Sequence, residues 1–264
     1  GVLPQRVETA AAHIAVLKMG AISIPLFKLF GPDALRHRLW TAGAKVVITD
    51  AQGAALLAGL RVELPDLLRV VCVDDDFEEF IADQPVDFAP CDTGPDDPAI
   101  LIFTSGTTGP PKGALLGHRA LLGHLPGVEM SHNGFPQAGD RIWTPADWAW
   151  IGGLLDVLLP ALHHGVPVVA SRFDRFSADA AFDLIRRYRV RNVFLPPTAL
   201  KIMRQSEAPS GVALRSVASG GETLGPELIA WGQRVLGCII NEFYGQTECN
   251  MIVSSCAAIA PAEP

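Results

Sequence analysis

The chain has 264 residues, 49% of them hydrophobic and 19% charged, with a net charge of −7 and a pI near 5.5. That composition can bury a sizeable core and excludes intrinsic disorder, while the acidic balance and the lack of a broad basic face argue against nucleic-acid binding. The most apolar stretch, "WAWIGGLLDVLLPALHHGVPVVA", is interrupted by Asp156, Pro160 and two histidines and reads as a buried soluble segment rather than a membrane span.

In chain order, "VETAAAHIAVLKMGA" sets Val7, Ala10, Ile14 and Leu17 at helical spacing, with Gly20 as a stop. "AISIPLF" reads as a short strand whose Pro25 suits an edge. "GPDALRHRLWTAGA" is a helix with Pro32 in its first turn, "KVVITD" a strand, "AQGAALLAGL" a helix and "LLRVVCVDD" a strand. Residues 74–98, acidic and proline-rich, read as a surface connector between two subdomains.

Beyond it, "GHRALLGHLPGV" is a helix and "DRIWTPAD" a strand. "SADAAFDLIRRYRV" is a helix capped at Ser177, followed by the strand "RNVFLPP". "SVASGG" enters a glycine turn, and "PELIAWGQRVLG" and "CIINEFYG" close the series as helix and strand. The alternation predicts an α/β fold: two α/β subdomains with mostly parallel sheets flanked by helices, residues 1–90 and 91–264. Five cysteines without a C-x-x-C pair or zinc spacing read as free thiols, and with no signal-peptide pattern at the start a cytoplasmic protein is expected.

The stretch that carries chemistry is "FTSGTTGPPKG". Gly106 and Gly109 let backbone amides converge, Thr104, Ser105, Thr107 and Thr108 add hydroxyls, and Lys112 adds a cation, together a cradle for a polyanion. It is neither a Walker loop, because Pro111 stands where the second glycine belongs, nor a G-x-G-x-x-G dinucleotide loop.

This loop closely resembles the phosphate-loop signature of the adenylate-forming, AMP-binding superfamily, which includes acyl-CoA synthetases, luciferases and peptide-synthetase adenylation domains. Two further stretches follow in order: "SGGETL", residues 219–224, resembles the family's adenine-contacting turn, and "NEFYGQTE", residues 241–248, its aromatic-Gly-x-Thr-Glu motif. The resemblance implies the large N-terminal domain of an acyl-CoA synthetase. A carboxylate would attack the α-phosphate of MgATP, and a thiol, usually coenzyme A, would take the acyl group from the acyl-adenylate.

The resemblance also implies roles for residues. Thr104, Ser105, Gly106, Thr107, Thr108, Gly109 and Lys112 would hold the β- and γ-phosphates, Thr247 the α-phosphate and Glu248 the Mg²⁺ ion. Tyr244 would stack on adenine, with Gly221, Glu222 and Thr223 opposite and Glu242, Phe243, Gly245 and Gln246 completing the nucleotide site. Taken alone, Tyr244 at the end of an apolar strand reads as a core residue.

Trp150, Ile151, Gly152 and Gly153, with Gly220 and Gly245, are candidate lining for the acyl pocket, although "ADWAWIGGLLD" equally fits plain core packing. Acetyl-specific relatives carry tryptophan at the position of Gly245, so the glycine implies a carboxylic acid longer than acetate, medium-chain or aromatic. His132 is a further candidate near that pocket.

The family pattern continues with a Thr-Gly-Asp motif, a hinge and a small domain bearing a lysine, whereas no lysine follows Lys201 here. The expectation is therefore an internal piece of a larger synthetase, with little adenylation on its own. A domain that loads a carrier-protein thiol, and a non-catalytic nucleotide-binding module, are the alternatives.

Overall fold

The computed structural model describes residues 1–75, 77–104, 110–173, 175–207 and 209–260. The chain forms two compact units, Gly1–Arg119 and Ala120–Pro264.

The first unit carries helices α1 (Val7–Lys18), α2 (Pro32–Thr41), α3 (Ala51–Leu60) and α4 (Phe77–Ala82). Its strands are β1 (Val46–Thr49), β2 (Arg69–Cys72), β3 (Pro98–Thr104) and β4 (Lys112–Gly117). Strands β1 and β2 pair in parallel, Val46 with Arg69 through Thr49 with Cys72. Asp50 starts α3 by accepting the Gly53 amide at 3.0 Å, and its other oxygen is ion-paired with Lys28. Leu35, Leu39, Val47, Leu57 and Phe103 meet in the core of this unit.

Several expectations need correction in this unit. Helix α1 forms, but it buries Thr9 and His13 and leaves Val7 and Ile14 exposed. Local hydrogen bonds explain the orientation, since Thr9 Oγ1 donates to the Pro4 carbonyl and His13 Nδ1 lies 2.8 Å from Ser23 Oγ. "AISIPLF" makes a single parallel bridge, Ser23 to Ile100, instead of a strand. The acidic connector contains α4, whose Phe80 ring lies under the Arg69 guanidinium at 4.4 Å. The loop after β3 leads into a strand before the helix, so β3 and β4 form an antiparallel hairpin. The expected division at 90/91 falls inside the first unit: Ser23 bonds to Ala99 and Leu101 on β3 and so ties the hairpin to it.

The second unit holds a five-stranded sheet in the order β5 (Ile142–Trp143), β6 (Asn192–Phe194), β7 (Ser216–Gly220), β8 (Ile240–Gln246), β9 (Asn250–Ser254). Strands β5 to β8 are parallel and β9 returns antiparallel to β8. The helices are α5 (Arg119–Ser131), α6 (Ile151–Gly153), α7 (Leu159–His163), α8 (Ala178–Arg187), α9 (Pro197–Arg204) and α10 (Pro226–Trp231). A π-helical turn, Leu154–Leu158, joins α6 to α7, and another, Gly232–Leu236, extends α10.

Alternation along the strands supplies both faces of this sheet. Val193, Leu195, Val217 and Ile240 pack with Phe182, Ile185, Leu200, Met203 and Trp231 on one side. Ile142, Phe194, Ala218 and Phe243 pack with Val128, Val157 and Ala161 on the other. Helix α9 and strand β9 are additions to the elements read from sequence. Among the described residues, no helix is long and apolar enough to cross a membrane.

Candidate functional site

The two downstream motifs come together because β7 and β8 are parallel neighbours. Their register pairs Ser219 with Glu242 and Gly220 with Phe243, so the "SGGETL" turn and "YGQTE" both emerge at the carboxyl ends of adjacent strands. In open α/β sheets, that edge is where ligands bind. Gly221 turns the chain away from β7 with φ +97°, a conformation that side chains resist. The turn is braced from β8, where Glu242 Oε1 accepts the Leu224 amide at 2.7 Å. Among the nucleotide candidates, Glu242 therefore spends one carboxylate oxygen on supporting the turn. Glu222 is exposed and stands 3.6 Å from Lys201.

Tyr244 is 57% exposed at the end of β8, and its hydroxyl accepts from Gln246 Nε2 at 3.1 Å. A core aromatic would hide its ring, whereas this one presents it to solvent. Phe243, one residue earlier, turns the opposite way, packing its ring on Phe194 with centroids 5.5 Å apart and against Gly220. Strand alternation thus gives Phe243 to the core and Tyr244 to the surface. Thr247 and Glu248 occupy the turn between β8 and β9, Thr247 half-buried and Glu248 exposed.

That turn is tight. Register shifts between Tyr244 and Gly245, and a Cβ at Gly245 would collide with the Asn250 carbonyl. Glycine at 245 thus has a local cause that requires no reference to an acyl pocket. Asn250 closes the turn with φ +50°, which asparagine tolerates better than most residues.

The candidate acyl-pocket segment lies in the same unit. Trp150, 42% exposed, precedes Ile151, Gly152 and Gly153, and Gly152 lies against the Phe194 ring. Asp147 organises the approach to α6 by accepting the Ala149 amide at 2.8 Å, and burial pushes its carboxyl up to about 6. Four residues past Gly152, Asp156 is only 3% exposed. Burial raises its carboxyl to about 7, while the hydrogen bond from Asn250 pulls the other way. Asn250 Nδ2 donates to Asp156 Oδ1 at 2.6 Å, joining residues 94 apart in sequence. In the sequence, Asp156 stands out only as an interruption of an apolar run; the signal that could have marked it is an acid in a helix with no neighbouring base.

His132 is not at an open pocket. It is buried on the core side of the sheet, 2.8 Å from Ser216 Oγ, and burial lowers its imidazole to about 3.

In the first unit, the β3–β4 hairpin sets Thr104 opposite Lys112, and Thr104 Oγ1 donates to the Lys112 carbonyl at 3.4 Å. Lys112 is exposed at the base of the hairpin loop. Ser105, Gly106, Thr107, Thr108 and Gly109 lie outside the described residues. Among the described residues, no group of three or more His, Cys, Asp or Glu could hold a metal ion. Glu248 offers a single carboxylate, a donor that would suit Mg²⁺ only where phosphate oxygens and water supplied the other ligands.

Known proteins resemble this chain along nearly its whole length. The acetyl-coenzyme A synthetase of Gamma-proteobacterium EBAC31A08 is 28% identical over 301 residues, covering 99% of this chain and 46% of that protein. The crystal structure of Brucella canis acyl-CoA synthetase superposes with a TM-score of 0.87 at 30% identity, covering 99% of this chain and 49% of that one. ATP-bound MatB from Rhodopseudomonas palustris, at 22% identity, shares the fold with a TM-score of 0.83, over all of this chain and 52% of that one. The chain thus spans about half the length of these relatives. The model of one family, described as AMP-binding enzyme, accounts for residues 2–264, and the chain belongs to that family.

Proposed function

We propose that the protein is an ATP-dependent acid–thiol ligase of the acyl-CoA synthetase kind, which activates a carboxylic acid as its acyl-adenylate and passes it to coenzyme A. The observation that carries this reading is that the exposed Tyr244 ring and the Gly221–Thr223 turn both stand at the carboxyl ends of neighbouring parallel strands. MgATP, when bound, supplies the electrophilic α-phosphate and a leaving pyrophosphate.

The chain's own residues would do the holding. Tyr244 offers a flat face for adenine, and the turn braced by Glu242 forms the opposite wall. Thr247 would donate its hydroxyl to the α-phosphate and Glu248 would ligate Mg²⁺, while Thr104 and Lys112 frame the loop that receives the β- and γ-phosphates. Charge accumulates on the transferring and leaving phosphates, so fixed donors and cations aimed at them lower the barrier.

The acid is read as longer than acetate, on the support of the bare glycine at 245, where acetyl-specific family members carry tryptophan. The acetyl-CoA synthetase resemblance makes this a discriminating claim. A panel of acetate, hexanoate and benzoate, offered to the complete protein, tests it; strong preference for acetate would overturn it. For the nucleotide site, calorimetric titration of MgATP and AMP is the test. Saturable binding that Tyr244→Ala weakens supports the slot, and binding indifferent to the substitution removes it.

A further inference from the structure

The segment that carries Asp156 is otherwise apolar, "LLDVLLPAL", and every residue of its π-helical turn is buried. A carboxylate in such surroundings is costly unless a specific partner meets it. The partner present is the amide of Asn250, itself only 3% exposed, which lies two residues beyond Glu248. Asn250 is also the backbone position where β9 begins and where Gln246 is paired across the hairpin. The side-chain bond therefore holds the end of the very turn that displays Thr247 and Glu248. At its other end, Asp156 sits one helical turn beyond Gly152, its Oδ2 near that glycine, in the candidate acyl-pocket segment. π-Helical turns of this kind recur at functional sites, where they re-aim single side chains.

We propose that Asp156 and Asn250 are a positioning pair, fixing the Thr247–Glu248 turn against the helix that begins at the acyl-pocket segment. This rests on the reading of the site as a nucleotide site. Neither residue touches substrate; the pair acts by presenting the phosphate- and metal-facing groups at one geometry. Outer residues that orient ligand-holding groups commonly matter by ten- to hundred-fold.

The test uses three variants of the full chain. Asn250→Gly keeps the left-handed backbone and deletes the amide. Asp156→Leu deletes the acceptor and suits the apolar surroundings. Asp156→Asn retains a carbonyl oxygen to accept the Asn250 N–H. Amide hydrogen exchange over residues 246–251 should accelerate at least about tenfold in each of the first two variants and stay near wild type in Asp156→Asn. Calorimetry should show MgATP affinity falling about tenfold in the same two, with adenosine affinity unchanged because stacking on Tyr244 is untouched.

The proposal is overturned if either breaking variant folds with an unaltered turn, or if Asp156→Asn behaves like Asp156→Leu. It is also overturned if MgATP and adenosine weaken in step, since a merely structural role would do that. Wild-type protein that binds neither MgATP nor adenosine refutes the proposed function, and with it the nucleotide role of the pair. The exchange comparison then separately decides whether the turn is held as described.

Discussion

The two ends of one sheet treat polar side chains in opposite ways. At the amino ends of β5, β6 and β7 the polar groups close on each other. Arg215 donates to both oxygens of Asp140, at 2.8 and 2.6 Å, and to the Asn133 carbonyl. Asn192, oriented with its amide nitrogen 3.0 Å from Asp140 and its oxygen 2.8 Å from Ser216 and Arg215, fills the remaining sites, and Ser216 meets His132. At the carboxyl ends, Tyr244, Gln246 and Glu248 face solvent. There the hydroxyl of Ser219 is buried without a partner among the described residues. Buried polar groups are normally satisfied, so the closed end is read as structure and the open end as a place for something else to bind.

That contrast can be broken from either side. The largest effect is expected at the closed end, where Arg215→Met strands the Asp140 carboxylate. Denaturant titration should show a loss of about 3 kcal/mol, the low end for a broken buried pair because Gln137 and Arg191 still face the acid.

Gly245→Ala comes next, at about 1–3 kcal/mol, because the added methyl meets backbone rather than a yielding side chain. This variant also separates two causes for the glycine. If close approach in the hairpin is the sole reason, stability falls while the complete protein's acid preference stays fixed; if the pocket matters too, preference shifts toward acetate.

At the open end, Tyr244→Ala should weaken nucleotide binding by about 1–3 kcal/mol, the usual worth of a base stacked on an aromatic ring. Stability should stay within about 0.5 kcal/mol, since the ring is exposed.

A further test is a slope against pH. The Asp156 carboxyl is raised from 3.8 to about 7 in the folded chain, so the folded state holds its proton where the unfolded state has lost it. This group's contribution is full below pH 4 and declines as pH climbs toward 7. His13, His124 and His132, lowered by burial to about 3, 4 and 3, act in the opposite sense, losing stability as pH falls below 6.5. Subtracting the Asp156→Asn melting profile from wild type isolates the acid. The difference should grow against wild type between pH 4 and 7.

Much of the fold is readable because its signals are local. Ser177 accepts the Ala180 amide as a helix cap should, and Gly20, Gly43 and Gly237 stop their helices at positive φ. The strands of the second unit stand out as apolar runs of the buried parallel type. Partnership between distant residues is not readable. The outward turn of Val7 and Ile14 depends on Ser23 and Pro4, and β4 escapes a sequence reading because it becomes a strand only through pairing with β3. The site divides in the same way. Tyr244, Thr247 and Glu248, the proposed nucleotide residues, stand in one contiguous motif, while Asp156 meets its partner only across 94 positions.

The π-helical turn at Leu154–Leu158 bears on how this segment can change over generations. Such a turn fits one residue more than an α-helical turn does, so losing a single residue there would be absorbed smoothly as ordinary helix. The facing of α7 would survive, because the wide turn already takes up the extra residue that would otherwise rotate everything beyond it by about 100° about the helix axis. Ala161 would stay on the sheet, whereas Asp156, within the turn itself, would lose its aim at Asn250. Loss of one residue here should therefore keep the packing of α7 and remove the bond to Asn250, whereas gain of one should disturb both.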